Sequence, residues 1–196
     1  MSKKADKVFG PGVPSSCKNY AIGIDQSYSG FGITVMDVKT GGYATTVFKA
    51  EGTGIERLNY VYDRLGEIID RHVTFDVKSQ ITVAMEGYAF GSQMANMAGE
   101  LGAIVKWFCW QEFESYAGRY PYIIPPTVLK KYVTGKGTGV QKNQMLLHVF
   151  KKWGIEFNDD NAADSYALAH LVAGKCDLTY EREIYHNIQD PKYREK

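Results

Sequence analysis

NYAIGIDQSYSGFGITVMDVKTGGYATTVFKA, residues 19–50, consists of three apolar runs that turn residues separate. The runs have the length and the β-branched content of strands, and they span residues 19–25, 30–38 and 43–50. A Gly-Gly pair at positions 41 and 42 is typical of the tight turn in a β-hairpin. The stretch therefore predicts an antiparallel meander of three strands, and the first of these strands ends at Asp25.

Helices and strands alternate after this meander. Apolar residues recur at helical spacing through residues 55–73, and a short apolar strand, residues 81–85, ends at Glu86. The remaining predicted elements are helices at 92–116, 128–133, 141–153 and 158–173 and a strand at 122–124. This order predicts an α/β fold with a mixed five-stranded sheet that is flanked by helices on both faces.

The chain is predicted to form one folded domain with two loose ends. Its 196 residues suit a single core, and residues 19–174 hold all the predicted elements. Residues 1–18 are rich in Gly, Pro, Ser and Lys and predict a flexible N-terminal arm. Residues 175–196 are charged and aromatic and predict a charged C-terminal tail.

Composition narrows the class of protein. No apolar run approaches the roughly 20 residues that a membrane span needs, and the N-terminus lacks the apolar core of a secretory signal. The three cysteines, Cys17, Cys109 and Cys176, are odd in number and widely spaced. This usage indicates a reducing cytoplasm and argues against a disulfide framework or a zinc site.

Acidic residues stand at three places where a functional site is expected. Asp25 and Glu86 end predicted strands, and Asp159, Asp160 and Asp164 begin the last predicted helix. In open sheets with helical crossovers, sites form at the carboxyl ends of the strands. The alternative for a single strand-end acid is a solvated loop residue. For Asp159 or Asp160 the alternative is a helix N-cap.

The spacing of these acids predicts a metal site. Asp160 and Asp164 lie four residues apart and can face the same side of a helix, as can Asn161 and Asp164. Converging carboxylates repel one another unless a cation is present. Oxygen ligands without His or Cys suit Mg²⁺ or Mn²⁺, and two such ions can support phosphodiester hydrolysis.

A basic stretch and three glycines also point to a polyanion. Residues 128–153 contain six lysines and no Asp or Glu, although the net charge of the chain is only +1. The six are Lys130, Lys131, Lys136, Lys142, Lys151 and Lys152. A stretch whose charges are all positive is typical of a nucleic-acid footprint. The alternative interpretation is a solvated face of the protein. Gly23, Gly30 and Gly32 would let a nucleic-acid backbone come close, or would serve turn geometry.

Four motifs together resemble those of RuvC-type Holliday-junction resolvases. They are GIDQSYSGFGITVMD, AMEGYAF, LKKYVTGKGTGVQKNQMLLHVF and DDNAADSYALAHL, in the family's order and within residues 19–173. The form resembles phage versions, which would act in the cytoplasm of a bacterial host. The resemblance implies an RNase H-like fold, a homodimer, two Mg²⁺ or Mn²⁺ ions and hydrolysis of DNA at four-way junctions.

The resemblance also implies which residues hold the metal. Asp25, Glu86 and Asp164 match three of the family's four metal-binding carboxylates. The fourth position falls at Asn161, which is a departure, because an amide is an uncharged and weaker ligand. Asp160, four residues before Asp164, is the predicted substitute, and these four carboxylates form the predicted catalytic and metal-binding set.

Further positions match DNA-contacting residues of the family. Lys142 matches a catalytic lysine near the scissile phosphate, where its charge could steady the transition state. Lys130 matches a lysine near the DNA backbone, and Tyr88 or Phe90 lies where the family presents an aromatic that stacks at the opened junction. The predicted DNA-binding residues are Lys130, Lys131, Lys136, Tyr88 and Phe90.

The predicted activity is that of a crossover junction endodeoxyribonuclease whose partner is branched DNA, with no membrane and no nucleotide cofactor. One alternative is another RNase H-like nuclease that acts on flaps or RNA. A second is a catalytically inactive junction-binding module, which Asn161 motivates. A third, an actin-like ATPase, needs a second half-domain that this chain is too short to hold.

Overall fold

The computed structural model describes residues 5–87 and 95–194, and it describes the side chains of these residues except 95–97 and 142–143. The strands are β1 (Lys7–Phe9), β2 (Asn19–Asp25), β3 (Phe31–Asp37), β4 (Tyr43–Phe48), β5 (Gln80–Glu86) and β6 (Tyr122–Ile124). The helices are α1 (Gly54–His72), α2 (Ala95–Glu112), α3 (Pro126–Thr134), α4 (Lys142–Trp153), α5 (Asp160–Val172) and α6 (Thr179–Asn187). Short 3₁₀ turns follow α2, at Ala117–Arg119, and α6, at Pro191–Tyr193.

The strands form one mixed sheet in the order β1-β4-β3-β2-β5-β6. The predicted meander is present, since β2, β3 and β4 pair antiparallel, while β5 and β6 join β2 in parallel. Parallel pairing places the ends of β2 and β5 at the same edge of the sheet. The α/β prediction is therefore confirmed, with a central strand, β2, that ends at Asp25.

Across residues 5–87 and 95–194 the sheet has six strands and not the predicted five. Lys7 to Phe9 lie in the predicted flexible arm, yet they pair antiparallel with β4 from Lys7↔Val47 to Phe9↔Thr45. The pairing covers backbone groups that β4 would otherwise expose at the edge. Phe9 adds an edge-on contact with Phe157, with ring centroids 5.3 Å apart. These interactions fix residues that composition alone marks as loose.

Helices cover both faces of the sheet. One face packs against α1 and α2 through residues such as Ile22, Leu65 and Phe108, all buried. The other face packs against α3 to α6 through residues such as Tyr132 and Leu168. Successive side chains of β2 alternate between these two cores, as the period of a strand requires.

Glycines let α5 lie directly on β2 and β3. A Cβ added to Gly23 would stand 2.0 Å from the carbonyl oxygen of Ser165, and one added to Gly32 would stand 2.3 Å from that of Asn161. A Cβ added to Gly30 would stand 2.5 Å from the Nδ2 atom of the Asn161 side chain. The hypothesis that these glycines make room for nucleic acid is therefore wrong for Gly23 and Gly32, because a helix of the same chain occupies that room.

The C-terminal segment also departs from the prediction of a charged tail, because α6 buries one face. Ile184 and Ile188 are buried in the core, and Glu181 is fully buried. The Lys152 ammonium lies 2.8 Å from Glu181 Oε1 and donates to the Tyr132 carbonyl oxygen at 2.8 Å. Lys152 therefore ties α4 to α3 and α6. In the part of the chain that the structure describes, no helix is long and apolar enough to cross a membrane.

Candidate active site

A cavity of about 250 Å³ opens where β2, β5 and α5 meet. It is lined by Asp25, Gln26, Ser27, Glu86, Pro126, Lys130, Met145, Asp160, Asn161 and Asp164. All four carboxylates that the sequence predicts as a metal set lie in this one cavity, here called the carboxylate pocket. Asp25 lies 61 positions before Glu86 and 139 before Asp164, and the sheet and one helix bring these residues together.

The ends of β2 and β5 position the first two carboxylates. The strands pair in parallel up to Ile24↔Met85, so Asp25 and Glu86 follow on neighbouring strands. Just beyond them, the Gln26 Nε2 group donates a 2.6 Å hydrogen bond to the Glu86 carbonyl oxygen. This bond ties the two strand ends together and holds the two carboxylates at one edge of the sheet.

The first two turns of α5 position the other two. Asp159 is the N-cap, and its Oδ1 accepts hydrogen bonds from the Asn161 backbone N–H at 3.0 Å and from Asn161 Nδ2 at 3.1 Å. The capping role that the sequence left open for Asp159 or Asp160 thus belongs to Asp159. Asp160 and Asp164, one helical turn apart, both reach the carboxylate pocket.

The carboxylates are close enough to perturb one another. Asp25 is only 6% exposed, and this burial raises the pKa of its carboxyl well above the usual range. The charges of Glu86 and Asp164, a hydrogen bond with Glu86 and the charge of Asp160 raise the pKa further. Both burial and the neighbouring carboxylates therefore disfavour the ionised form of Asp25.

This donor set fits a hard divalent cation. The side chains offer only oxygen, and the repulsion that raises the pKa of Asp25 is what a cation would relieve. Within residues 5–87 and 95–194, no group of three or more His, Cys, Asp and Glu side chains is already arranged to hold a metal ion.

The structure separates the predicted DNA-binding residues. Lys130 lines the carboxylate pocket from α3, while Lys131 and Lys136 are exposed outside it. Lys142 is the first residue of α4, and its side chain lies outside the described residues. Tyr88 and Phe90 also lie outside the described residues.

No family model and no curated protein matches this sequence. Among solved structures, the chain is similar to the Thermus thermophilus RuvC structure, with a TM-score of 0.59 and 22% identity over 87% of this chain and 96% of that chain. It is also similar to T. thermophilus RuvC in complex with Holliday junction substrate, with a TM-score of 0.57 and 22% identity over 84% and 95% of the two chains.

The chain has the RuvC fold. The predicted RNase H-like architecture is therefore confirmed, apart from the extra strand β1. At 22% identity the similarity concerns the fold, so the chemistry of this chain has to be argued from its own carboxylate pocket.

Two residues near the carboxylate pocket, Gln26 and Lys7, are not predicted from the sequence as part of the site. Gln26 could have been found, because it directly follows Asp25 and reaches the end of the neighbouring strand. No sequence pattern points to Lys7. Its Nζ group donates a 2.6 Å hydrogen bond to Asp159 Oδ2, which lies 152 positions further along the chain. Only the pairing of β1 with β4 brings this lysine to the start of α5.

Proposed function

We propose that the protein is a crossover junction endodeoxyribonuclease, which resolves Holliday junctions and other branched DNA by metal-dependent hydrolytic nicking. The observation that carries the proposal is the convergence of Asp25, Glu86, Asp160 and Asp164 in one pocket, with Lys130 in its wall. The RuvC fold supports it, as does the Holliday junction substrate in the complex of T. thermophilus RuvC. Branched DNA is accordingly the proposed partner.

The proposed cofactor is Mg²⁺ or Mn²⁺, as two ions held by the four carboxylates. Bound there, such ions supply water activation and stabilise the leaving oxygen of a phosphodiester. The chain itself contributes Asp25, whose carboxyl has a raised pKa and whose ionised form a cation would favour, and Lys130 contributes a positive charge towards the DNA phosphate. Lys142 is the proposed lysine at the scissile phosphate, on the strength of the sequence motif.

Asp160 is the proposed fourth carboxylate, in preference to Asn161. Both line the pocket, but the amide nitrogen of Asn161 is engaged with Asp159. Asp160 is close enough for its charge to raise the pKa of Asp25. An anionic oxygen also suits Mg²⁺ better than the neutral carbonyl of an amide.

The proposal includes a homodimer, because paired nicks on opposite arms need two sites. Helix α2 presents an apolar stripe, in which Trp107 is 53% exposed and Trp110 is 40% exposed, next to an exposed Ala103. Large exposed apolar residues in a row are typical of an interface. Trp107→Lys should convert a dimer into monomers in light scattering, whereas Val77→Lys, at a fully exposed valine, should not.

Cleavage of a synthetic four-way junction tests the function directly. Wild type with Mg²⁺ should give paired, symmetric nicks, and omission of the ion should leave the junction intact but bound. Three-way, flap and RNA substrates should be cut more slowly. Preferred cutting of a flap or of RNA would indicate another RNase H-like nuclease. Binding without any cutting in Mg²⁺ or Mn²⁺ would indicate an inactive junction-binding module.

The proposed location is the cytoplasm of a bacterial host. All three cysteines are free, and Cys17 and Cys109 are buried. Free thiols are typical of proteins that work in a reducing compartment.

A further inference from the structure

Strand β1 carries a cation to the helix that holds two of the proposed metal ligands. Lys7 Nζ lies 2.6 Å from Asp159 Oδ2, and the side chains are 48% and 11% exposed. Asp159 is the N-cap of α5, directly before Asp160. One ion pair therefore links the edge of the sheet to the start of the helix.

Asp159 is held apart from the proposed metal ligands. It does not line the carboxylate pocket but a smaller neighbouring cavity, together with Lys7, Ser29 and Lys49. Asn161 lines both cavities and forms the wall between them. Its side-chain nitrogen is bound to Asp159 and would touch any side chain at Gly30. The pair of Lys7 with Asp159 thus stands immediately behind this wall.

The pair also holds both oxygens of the carboxylate beside the site. Asp159 Oδ2 lies 2.6 Å from Lys7 Nζ, and Asp159 Oδ1 accepts hydrogen bonds from the backbone N–H and the Nδ2 group of Asn161. Asp159 is therefore a fifth carboxylate next to a pocket that already collects four. Lys7 pairs with it on the side of the neighbouring cavity, away from the pocket.

We propose that Lys7 is a positioning residue for the metal-binding end of α5. By holding Asp159, it fixes the cap and the Asn161 wall, so that Asp160 and Asp164 face the pocket without a fifth carboxylate in competition. The inference rests on the proposed function, because it assigns a role in metal binding. It makes β1, which lies outside the motifs shared with resolvases, part of the active-site support.

A structural role alone would have a different signature. The pair is half exposed at its lysine, and such ion pairs contribute little to stability. Loss of Lys7 should therefore lower the Tm of the metal-free protein by less than about 4 °C. Loss of a group that orients metal ligands from behind typically weakens metal binding or activity about 10- to 100-fold.

The test compares Lys7→Met with Lys7→Arg and with a matched control, Lys18→Met. Lys18 has the same 48% exposure and pairs with Asp76 at 2.7 Å, but it precedes β2 at the end of the strand opposite the pocket. Three quantities are measured for each variant. They are Mn²⁺ affinity by calorimetry without DNA, the Mg²⁺ dependence of junction cleavage, and the Tm without metal.

Lys7→Met should weaken Mn²⁺ binding about tenfold and raise the Mg²⁺ concentration for half-maximal cutting by a similar factor. Lys7→Arg, which keeps the charge, should restore both, and Lys18→Met should change neither. Unchanged metal affinity in Lys7→Met would overturn the proposal. So would a defect confined to junction binding that low salt restores, because Lys7 would then be a phosphate contact.

The two proposals fail separately. If wild type cuts no junction with any metal, the proposed function fails, whereas the Mn²⁺ titration still reports on Lys7. If wild type cuts normally and Lys7→Met behaves like Lys18→Met in all three measurements, only the role of Lys7 fails.

Discussion

Gly32→Ala tests how tightly the position of α5 is coupled to catalysis. The new Cβ would stand 2.3 Å from the Asn161 carbonyl oxygen and 2.8 Å from its carbonyl carbon. Real Cβ atoms essentially never approach other atoms closer than 3.0 Å. Both contacts are with helix backbone, which cannot rotate away as a side chain could. The first turn of α5 must therefore move outward by at least about 0.7 Å, the difference between 2.3 and 3.0 Å.

This displacement falls on the proposed metal ligands. Asp160 and Asp164 belong to the first turns of α5, while Asp25 and Glu86 stay with the sheet. A misplacement of about 1 Å can reduce a catalytic rate about 100-fold. We expect a loss of that order in the cutting rate, with junction binding retained. Overpacking should also cost about 1–3 kcal/mol, which lowers the Tm by roughly 2–12 °C.

Single-turnover cleavage of a four-way junction, well below the Tm of the variant, measures the rate without interference from unfolding. Gly66→Ala is the matched control, because the nearest atom to its new Cβ is a ring carbon of Phe108 at 3.9 Å. Alanine within helix α1 should leave the rate unchanged and slightly raise the Tm. If Gly32→Ala cut as fast as Gly66→Ala and melted at the wild-type temperature, the proposed coupling would be refuted.

Four further predictions concern the site and the C-terminal helix. Asp25→Asn keeps the size of the side chain and removes its charge, so gel shifts should show junction binding while cleavage assays show no cutting; full cleavage would refute the assignment. Lys142→Ala should slow cutting more than it weakens binding, since a charge used in the transition state affects rate above all; a binding defect alone, relieved by low salt, would make it a phosphate anchor. At limiting Mg²⁺, Asp160→Asn should lose far more cleavage activity than Asn161→Ala. A larger loss in Asn161→Ala would instead make the Asn161 amide the fourth metal ligand. Burial opposes the ionisation of Glu181, but its ion pair with Lys152 and its hydrogen bonds outweigh this effect and lower its pKa. The ionised side chain therefore contributes its full stabilisation above the ordinary pKa of 4.5, and this stabilisation is lost as the pH falls below that value. The Tm difference between wild type and Glu181→Gln, equivalent to about 3 kcal/mol at neutral pH, should therefore shrink towards about pH 4, and a constant difference would contradict the reasoning.

The sequence predicted the parts of the site that strand and helix periodicity control. Asp25 and Glu86 end apolar runs, and strand ends in a mixed sheet meet at one edge. Asp160 and Asp164 share a helix face by their spacing alone. These are local patterns whose spatial consequence is fixed by regular geometry. The structure accordingly brings all four together in one pocket.

Periodicity could not predict contacts between distant surface charges and short segments. Strand β1 has three residues, and composition around it resembles a loose arm, so only its pairing with β4 reveals it. Lys152 belongs to the basic stretch of residues 128–153, for which the sequence leaves open a nucleic-acid footprint or a solvated face. In the structure it is paired with the fully buried Glu181, which lies in the predicted tail. A charge count along the chain does not distinguish an exposed lysine from one that a buried carboxylate holds.

The amide at Asn161, the cap at Asp159 and the ion pair with Lys7 have a common physical explanation. An aspartate in place of Asn161 would set a carboxylate oxygen about 3.1 Å from Asp159 Oδ1, so that repulsion would replace a hydrogen bond. The amide removes that conflict and lets Asp159 cap the helix, while Lys7 neutralises the cap from β1. The proposed fourth metal-binding carboxylate is then Asp160, whose charge contributes to the raised pKa of Asp25. An amide at Asn161 is thus compatible with the proposed metal site, because Asp160 replaces the missing carboxylate and Lys7 on β1 pairs with the Asp159 cap.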